Sequence, residues 1–337
     1  MAPPFGSLAP GSALLNTPRT IRAPGPGRLI RPNQNVHRFA VFTACCTFFL
    51  LIAGALVTSN DAGLSVPDWP LSYGSFMPPM IGGIFYEHGH RMIASFVGML
   101  SIVLAVWLWR VYSRRPPEER WLRWMGVAAL GAVVAQGLLG GLTVLFFLPP
   151  AVSSAHATLA QLFFSTVASI ALFTSEWWER SSLRVPDLRT PSLHVLSVAT
   201  ASAVLLQLIL GAAFRHKAFG IVPHLAGAVV VTGMIFWLAG ALKRRFPAIP
   251  ELCFAARGLH ILIGVQLLLG GAAYWSRLYA ASFPQPIPVM VALTVTHVVT
   301  GALVLMSCVL VTLVCYRIVQ PAEAMIPAAA PRPSAAD

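Results

Sequence analysis

FYEHGHRMIASFVGMLSIVLAVWLW, residues 85–109, joins the most polar cluster of the chain to a long apolar run. Glu87, His88, His90 and Arg91 fall within five positions, and no further charged residue appears until Arg110. About 20 consecutive apolar residues in a helix cross the hydrocarbon of a bilayer. The stretch therefore reads as a membrane span whose mouth carries ionisable side chains.

The rest of the chain follows the same pattern. Of 337 residues, 57% are hydrophobic and 10% charged, against about a quarter charged in a soluble domain. Apolar stretches recur at 39–59, 86–109, 122–147, 153–174, 193–214, 222–242, 252–275 and 288–316. Eight spans are expected, in an all-α integral membrane protein.

The net charge of +12 reports orientation, not a nucleic-acid partner. Nineteen of the 23 Lys and Arg residues lie before span 1, between even- and odd-numbered spans, or after span 8. The four on the other side are Arg91, Arg215, Lys217 and Arg277. The positive-inside rule puts both termini in the cytoplasm, or in the matrix if the chain is mitochondrial. All five cysteines lie in or at the edges of spans, so no structural disulfide is expected. Residues 1–37 and 319–337, rich in Pro with Gly and Arg or with Ala, read as disordered tails. The first of these has the Arg-rich, acid-free bias of a transit peptide, but its prolines spoil an amphipathic helix and it has no apolar h-region, so it reads as a plain cytoplasmic tail and not a secretory signal.

A phrase recurs in the odd-numbered spans: QGLLGG at 136–141, QLILGA at 207–212 and QLLLGG at 266–271, with LLIAGA at 50–55 as a degenerate copy. Each time the next span supplies a histidine: His90, His156, His224 and His297. A helical hairpin is thus written four times. Two hairpins make a half, here 38–178 and 190–318. Four spans per half leave both halves facing the same way, so two four-helix bundles related by a pseudo-twofold along the membrane normal are expected. The small residues suit close helix packing; the repeated Gln suits interhelical hydrogen bonding or a pocket lining.

Imidazole inside a span is costly and marks a functional site by default. Four residues after each repeated histidine, on the same helical face, stands Ala94, Ala160, Ala228 or Gly301, which leaves clearance for a flat macrocycle. Imidazoles from facing helices supply both axial ligands of a haem iron in many bundles. Pairing the second and fourth helix of each half joins His90 with His156 and His224 with His297. Zinc would require further Cys or carboxylate ligands at short spacing, and none accompanies these histidines. His37, His194 and His216 fall in expected tails or loops, and His260 sits near Arg257 at a span end. His88, two residues from His90, points to another face of the helix. His297 is the exception in depth, about ten residues into its span.

Glu87, His90, Arg91 and Ala94 share one helical face. Around His224 the sequence is GIVPHLAGAVV, with no carboxylate. Glu87 and Arg91 could simply pair with each other. A carboxylate beside a redox macrocycle can also act as a general base or stabilise developing positive charge.

The E-x-x-H-R motif at 87–91, the later span histidines and the first-loop string GLSVPDWPLSYG at 63–74 together resemble the haem A synthase family, the CtaA-type proteins of bacteria and their mitochondrial relatives. The resemblance covers residues 39–316. It implies an eight-helix oxidoreductase that converts haem O to haem A, oxidising the C8 methyl to a formyl group by successive hydroxylations with oxygen from water. His90 and His156 would flank haem O in the N-terminal half, and His224 and His297 would ligate a haem b in the C-terminal half. Glu87 would be the catalytic carboxylate, and Arg91 would anchor a propionate or hold Glu87. Arg215, Lys217 and Arg277 are candidates for pairing with propionates or anchoring at the interface. Partners implied are the lipid bilayer, a membrane electron acceptor, haem O synthase and cytochrome oxidase assembly factors. The location implied is the bacterial inner membrane or, alternatively, that of mitochondria. Many bacterial members carry a cysteine pair in the first outer loop, where this chain has Val66 and Ser72, and often an Arg where it has Thr58. The competing readings are a non-catalytic dihaem cytochrome b and, more remotely, a transporter built on the repeat.

Overall fold

The computed structural model describes residues 33–181 and 183–321. Among these, eight helices are long and apolar enough to cross a membrane: α1 (Gln34–Ser59), α2 (Gly83–Tyr112), α3 (Leu122–Leu145), α4 (Pro150–Phe173), α6 (Leu193–Arg215), α7 (Val222–Arg245), α8 (Pro250–Ala280) and α9 (Pro288–Ile318). The chain is a multi-pass membrane protein. A five-residue helix, α5 (Glu176–Arg180), lies between the two sets of four.

The ends of these helices follow local chemistry. The Asn33 side chain accepts from the Val36 N–H to start α1, and Ser192 does the same for Val195 in α6. Proline in the first turn opens α4, α7, α8 and α9, where its missing N–H costs nothing. Within the spans, hydroxyls return to the carbonyl four residues back, as Thr43 does to Phe39, Ser101 to Val97 and Thr200 to Leu196. Such back-bonding spares these hydroxyls an unpaired state in apolar surroundings; Ser165 of α4, by contrast, is buried with no partner.

Each half is a closed ring of four. α1 packs on α2, α2 on α3, α3 on α4 and α4 on α1; α6 to α9 repeat the cycle. The halves meet through α1 with α9, α4 with α9, and α4 with α6. Exchanging α1 with α6 and α4 with α9 leaves that set unchanged, as a pseudo-twofold requires. In each ring a dry core gathers toward the end away from the repeated histidines: Leu104, Leu108, Phe163 and Ile170 in the first, Leu238, Leu242, Leu252 and Leu259 in the second. The opposite end is left for the polar groups.

Two boundaries differ from the sequence reading. α1 starts at Gln34, inside the stretch expected to be tail, and Val319–Pro321 form a strand, β2, pairing in parallel with β1 (Val185–Asp187). The remainder of both expected tails lies outside the described residues. His194 and His37 are helical residues, not tail or loop ones. His194 stacks on Tyr316 with ring centroids 4.0 Å apart, and His37 Nδ1 meets the Ala171 carbonyl at 2.9 Å. Close by, Asp187 is 3% exposed, accepts from the Leu193 N–H at 2.7 Å and pairs with Arg245 at 3.1 Å. Asp187→Ala would take the counter-charge from the part-buried Arg245, leaving it the Pro191 carbonyl, and the acceptor from the Leu193 N–H; breaking a buried pair costs up to about 3–5 kcal/mol. The variant is expected to unfold at a markedly lower temperature in detergent, which calorimetry reads directly.

Candidate functional site

The repeated phrase and the repeated histidine meet in space. The fifth residue of each phrase is a glycine, and on it rests the imidazole from the following span. A Cβ at Gly54 would meet His90 Cε1 at 3.1 Å, one at Gly140 would meet His156 Cε1 at 3.3 Å, and ones at Gly211 and Gly270 would meet His224 and His297 Cε1 at 2.9 Å each. In all four, Cε1 is nearest, Nδ1 next and Nε2 third. Four rings in one pose show that the hairpin repeat is structural as well as textual. The glycines, read in the sequence as helix-packing residues, are beds for the imidazoles.

The glutamine of the phrase fastens the same crossing. Gln136 Nε2 donates to the His156 carbonyl at 2.9 Å and Gln207 Nε2 to the His224 carbonyl at 2.8 Å. Gln266 lies against Gly301, one turn past His297. His297 also loses its depth anomaly here. α8 runs ten residues past Gly270, whereas α1 and α3 run five past Gly54 and Gly140; the α8–α9 hairpin therefore projects further, and His297 stays level with its counterparts.

The rings pair within each half. His224 and His297 have centroids 6.4 Å apart and planes at 87°. Two metal–imidazole bonds of about 2 Å each put facing ring centres about 6 Å apart, so one metal ion fits between them. His90 and His156 lie close enough to interact electrostatically. Among the described residues no group of three or more His, Cys, Asp or Glu gathers to hold a bare metal ion. Two imidazoles leave the equatorial positions of a metal open, and a tetrapyrrole is one group that fills them.

Beside the first pair lies the carboxylate. Glu87 is 4% exposed. Its Oε2 accepts from the Val66 N–H at 2.8 Å and its Oε1 from Arg91 Nη2 at 2.6 Å. Arg91 also donates to the carbonyls of Asp68, Leu71 and Val66 at 2.7, 2.8 and 3.3 Å. The simple pairing of Glu87 with Arg91 does occur, yet it is one bond of a larger assembly that ties the 60–82 loop to α2. Arg91 holds Glu87, one of the two roles expected for it.

That loop has its own frame. Ser72 and Ser75 exchange backbone hydrogen bonds across a two-residue turn, with Tyr73 at φ 54° and Gly74 at φ 66°, left-handed values that glycine adopts without strain. The Asp68 carboxylate accepts from the Gly74 and Tyr73 N–H groups at 2.8 and 2.6 Å. Those donors hold its carboxyl below the usual range. Trp69 lies over Gly141, where a Cβ would meet the indole at 2.8 Å, and Leu148 covers Gly63. Gly271, the counterpart of Gly141, has nothing over it. The loop thus roofs the first half only. Val66 and Ser72 are both fully buried parts of it.

The second half reaches toward the first through the end of α6. Arg215 donates to Ser59 Oγ at 2.8 Å, and Arg277 lies 5.6 Å from the centre of the Phe214 ring. His216, set aside in the sequence as a loop residue, lies within electrostatic reach of His156; burial, then Arg215 and His156, push it down to about 4, so it is neutral at neutral pH. Only tertiary packing brings it there. His260 makes the contacts of a packing residue, to the Ala256 carbonyl and the Phe236 ring.

The family model for COX15-CtaA, a cytochrome oxidase assembly protein, matches residues 37–223, more than half of the chain. The chain belongs to the COX15-CtaA family. The matched region carries His90, His156 and Glu87 and stops one residue short of His224. The chain is also 34% identical over 168 residues to a heme A synthase of Symbiobacterium thermophilum, covering 48% of this chain and 53% of that one. It is 32% identical over 153 residues to one from Shouchella clausii (44% and 48%) and 30% identical over 159 residues to one from Halalkalibacterium halodurans (46% and 51%). The chain thus spans about half the length of the curated relatives it matches.

For this COX15-CtaA chain the glycine beds make a graded prediction. At 2.9 Å a methyl group forces the ring of His224 or His297 to move, while at 3.3 Å His156 yields by a few tenths of an ångström. Forced overpacking costs about 1–3 kcal/mol. Gly211→Ala and Gly270→Ala are expected to weaken the second site, and Gly140→Ala to leave the first nearly intact. Absorbance titration with haemin on purified protein measures both.

Proposed function

We propose that this chain is a membrane oxidoreductase that converts haem O to haem A, taking the C8 methyl to the formyl group. The observation that carries the reading is the asymmetry of two otherwise matching imidazole pairs: His90 and His156 have Glu87 within one helical turn and a roof above, whereas His224 and His297 have neither. The relatives named heme A synthase support the reaction class.

The donor sets suit iron porphyrin. Four imidazoles in one pose, two of them at a separation that admits one metal ion between them, and a side-chain-free glycine behind each ring give what a bis-histidine haem requires. His224 and His297 would hold a haem b, which when bound supplies a one-electron relay. His90 and His156 would hold haem O, the substrate, in the 38–178 half. Overall, each of two hydroxylations would take one oxygen atom from water and release two protons and two electrons, and the resulting geminal diol would lose one water to leave the formyl group. In the chain's own terms, Glu87 would take a proton from the attacking water or balance positive charge at the reacting carbon. Arg91 and the Val66 N–H fix the carboxylate's two oxygens, and Trp69 and the rest of the roof restrict bulk water. Both termini would face the cytoplasm in a bacterial inner membrane, with haem O synthase and oxidase assembly factors as neighbours and a membrane electron acceptor downstream.

The test is pigment extraction from a host that accumulates haem O. Wild-type chain should yield haem A. A host that retains only haem O, while the chain carries haem b, would identify a dihaem electron carrier instead.

A further inference from the structure

We propose that His88 is a positioning residue for Glu87, acting through the outer loop that it fastens to α2. The inference rests on the reading of Glu87 as the catalytic carboxylate. His88 is buried, 6% exposed, and its Nδ1 lies 2.8 Å from Ser72 Oγ. Its Nε2 is buried without a partner, so the ring makes one hydrogen bond, to Ser72, and no second one competes for its orientation. Two residues along a helix is about 200° of rotation; His88 therefore faces the loop while His90 faces the bundle.

The bonds between loop and helix form a short ladder. Val66 meets Glu87, Leu71 meets Arg91, and Ser72, the next residue, meets His88. Arg91 and Val66 both touch the Glu87 carboxylate and also hold, or belong to, the loop. The loop's position and the carboxylate's orientation are consequently one degree of freedom. Ser72 also begins the Ser72–Ser75 turn whose Tyr73 and Gly74 amides bind Asp68. Loss of the His88 bond would free that turn, leave the buried Ser72 hydroxyl unpaired, and let the Val66 amide leave Glu87. The link between α6 and α7 in the other half, residues 216–221, is too short to form such a roof.

The experiment uses the full chain in membranes of a host that makes haem O. His88→Ala should lower turnover about tenfold or more, the range for losing a supporting hydrogen bond around a site. The KM for haem O should change little, the second-site spectrum should persist, and amide exchange should quicken across 60–82. His88→Asn, which keeps a hydrogen-bonding atom near the Nδ1 position, should recover most of the activity. Ser72→Ala is the milder variant should His88→Ala fold poorly; it should lower turnover similarly, and the double variant should fall no further than the worse single. Wild-type turnover in both His88→Ala and Ser72→Ala, or full additivity in the double variant, would overturn the inference. Full conversion by a Glu87→Ala chain would instead sink the underlying reading, so the two failures are distinguishable.

Discussion

Glu87→Gln is expected to reduce haem A formation by at least about 100-fold, the lower part of the range for losing a positioned general base, with the His224 and His297 site untouched. The amide is nearly isosteric and its one oxygen can still accept from the Val66 N–H, 2.8 Å away in the native chain. Its NH2 then faces Arg91 Nη2 and that bond is lost, but the Asp68 and Leu71 carbonyls still hold Arg91 to the loop, so the roof should stay in place. What is lost is the negative charge and the proton acceptor. Glu87→Ala should be as inactive and less stable, because the Val66 N–H would also lose its acceptor and a cavity would open beside Arg91, 16% exposed at its side chain. Retained turnover in Glu87→Gln would show that the carboxylate's place in the Arg91 and Val66 assembly is architectural alone.

The second large effect concerns the other half. His297→Ala removes one of two rings whose centroids are 6.4 Å apart, and an iron held from one side only should bind at least roughly tenfold more weakly, about 1.4 kcal/mol. The purified variant should lose its second-site low-spin signal and, with the relay gone, its conversion of haem O, while His90 and His156 still take up haem. His224→Ala should match it. Persistence of two bis-imidazole signals in either variant would mean that these histidines are packing residues.

Much of this was legible in the sequence because membrane helices and repeats leave regular marks. Span length and hydropathy mark the eight helices, and the recurrence of a glycine-bearing phrase before each histidine, with Gln at its head in three of the four copies, marks the hairpins. The glycine of that phrase was visible, but its purpose was not. A packing glycine and an imidazole bed read alike, and only the 2.9–3.3 Å approach of Cε1 separates them. His88 was set aside for facing away from His90, which is correct; what it faces is a loop, and loops impose no periodicity from which a partner could be inferred. The strand pair of Val185–Asp187 with Val319–Pro321 joins residues 134 positions apart, and the approach of His216 to His156 joins residues 60 apart, in ways no local pattern encodes. The projecting α8–α9 hairpin was likewise unreadable, because an apolar run does not mark where the bilayer ends.

Paired imidazoles, twice over, are expected to grip iron porphyrin. Low-temperature EPR with pyridine haemochrome analysis of the purified chain tests it most directly. Two bis-imidazole low-spin signals, one from haem b and one from haem O or haem A, are the predicted result. Protein that carries no haem after expression with haem O in supply, and that gives no such signal on reconstitution, would contradict it.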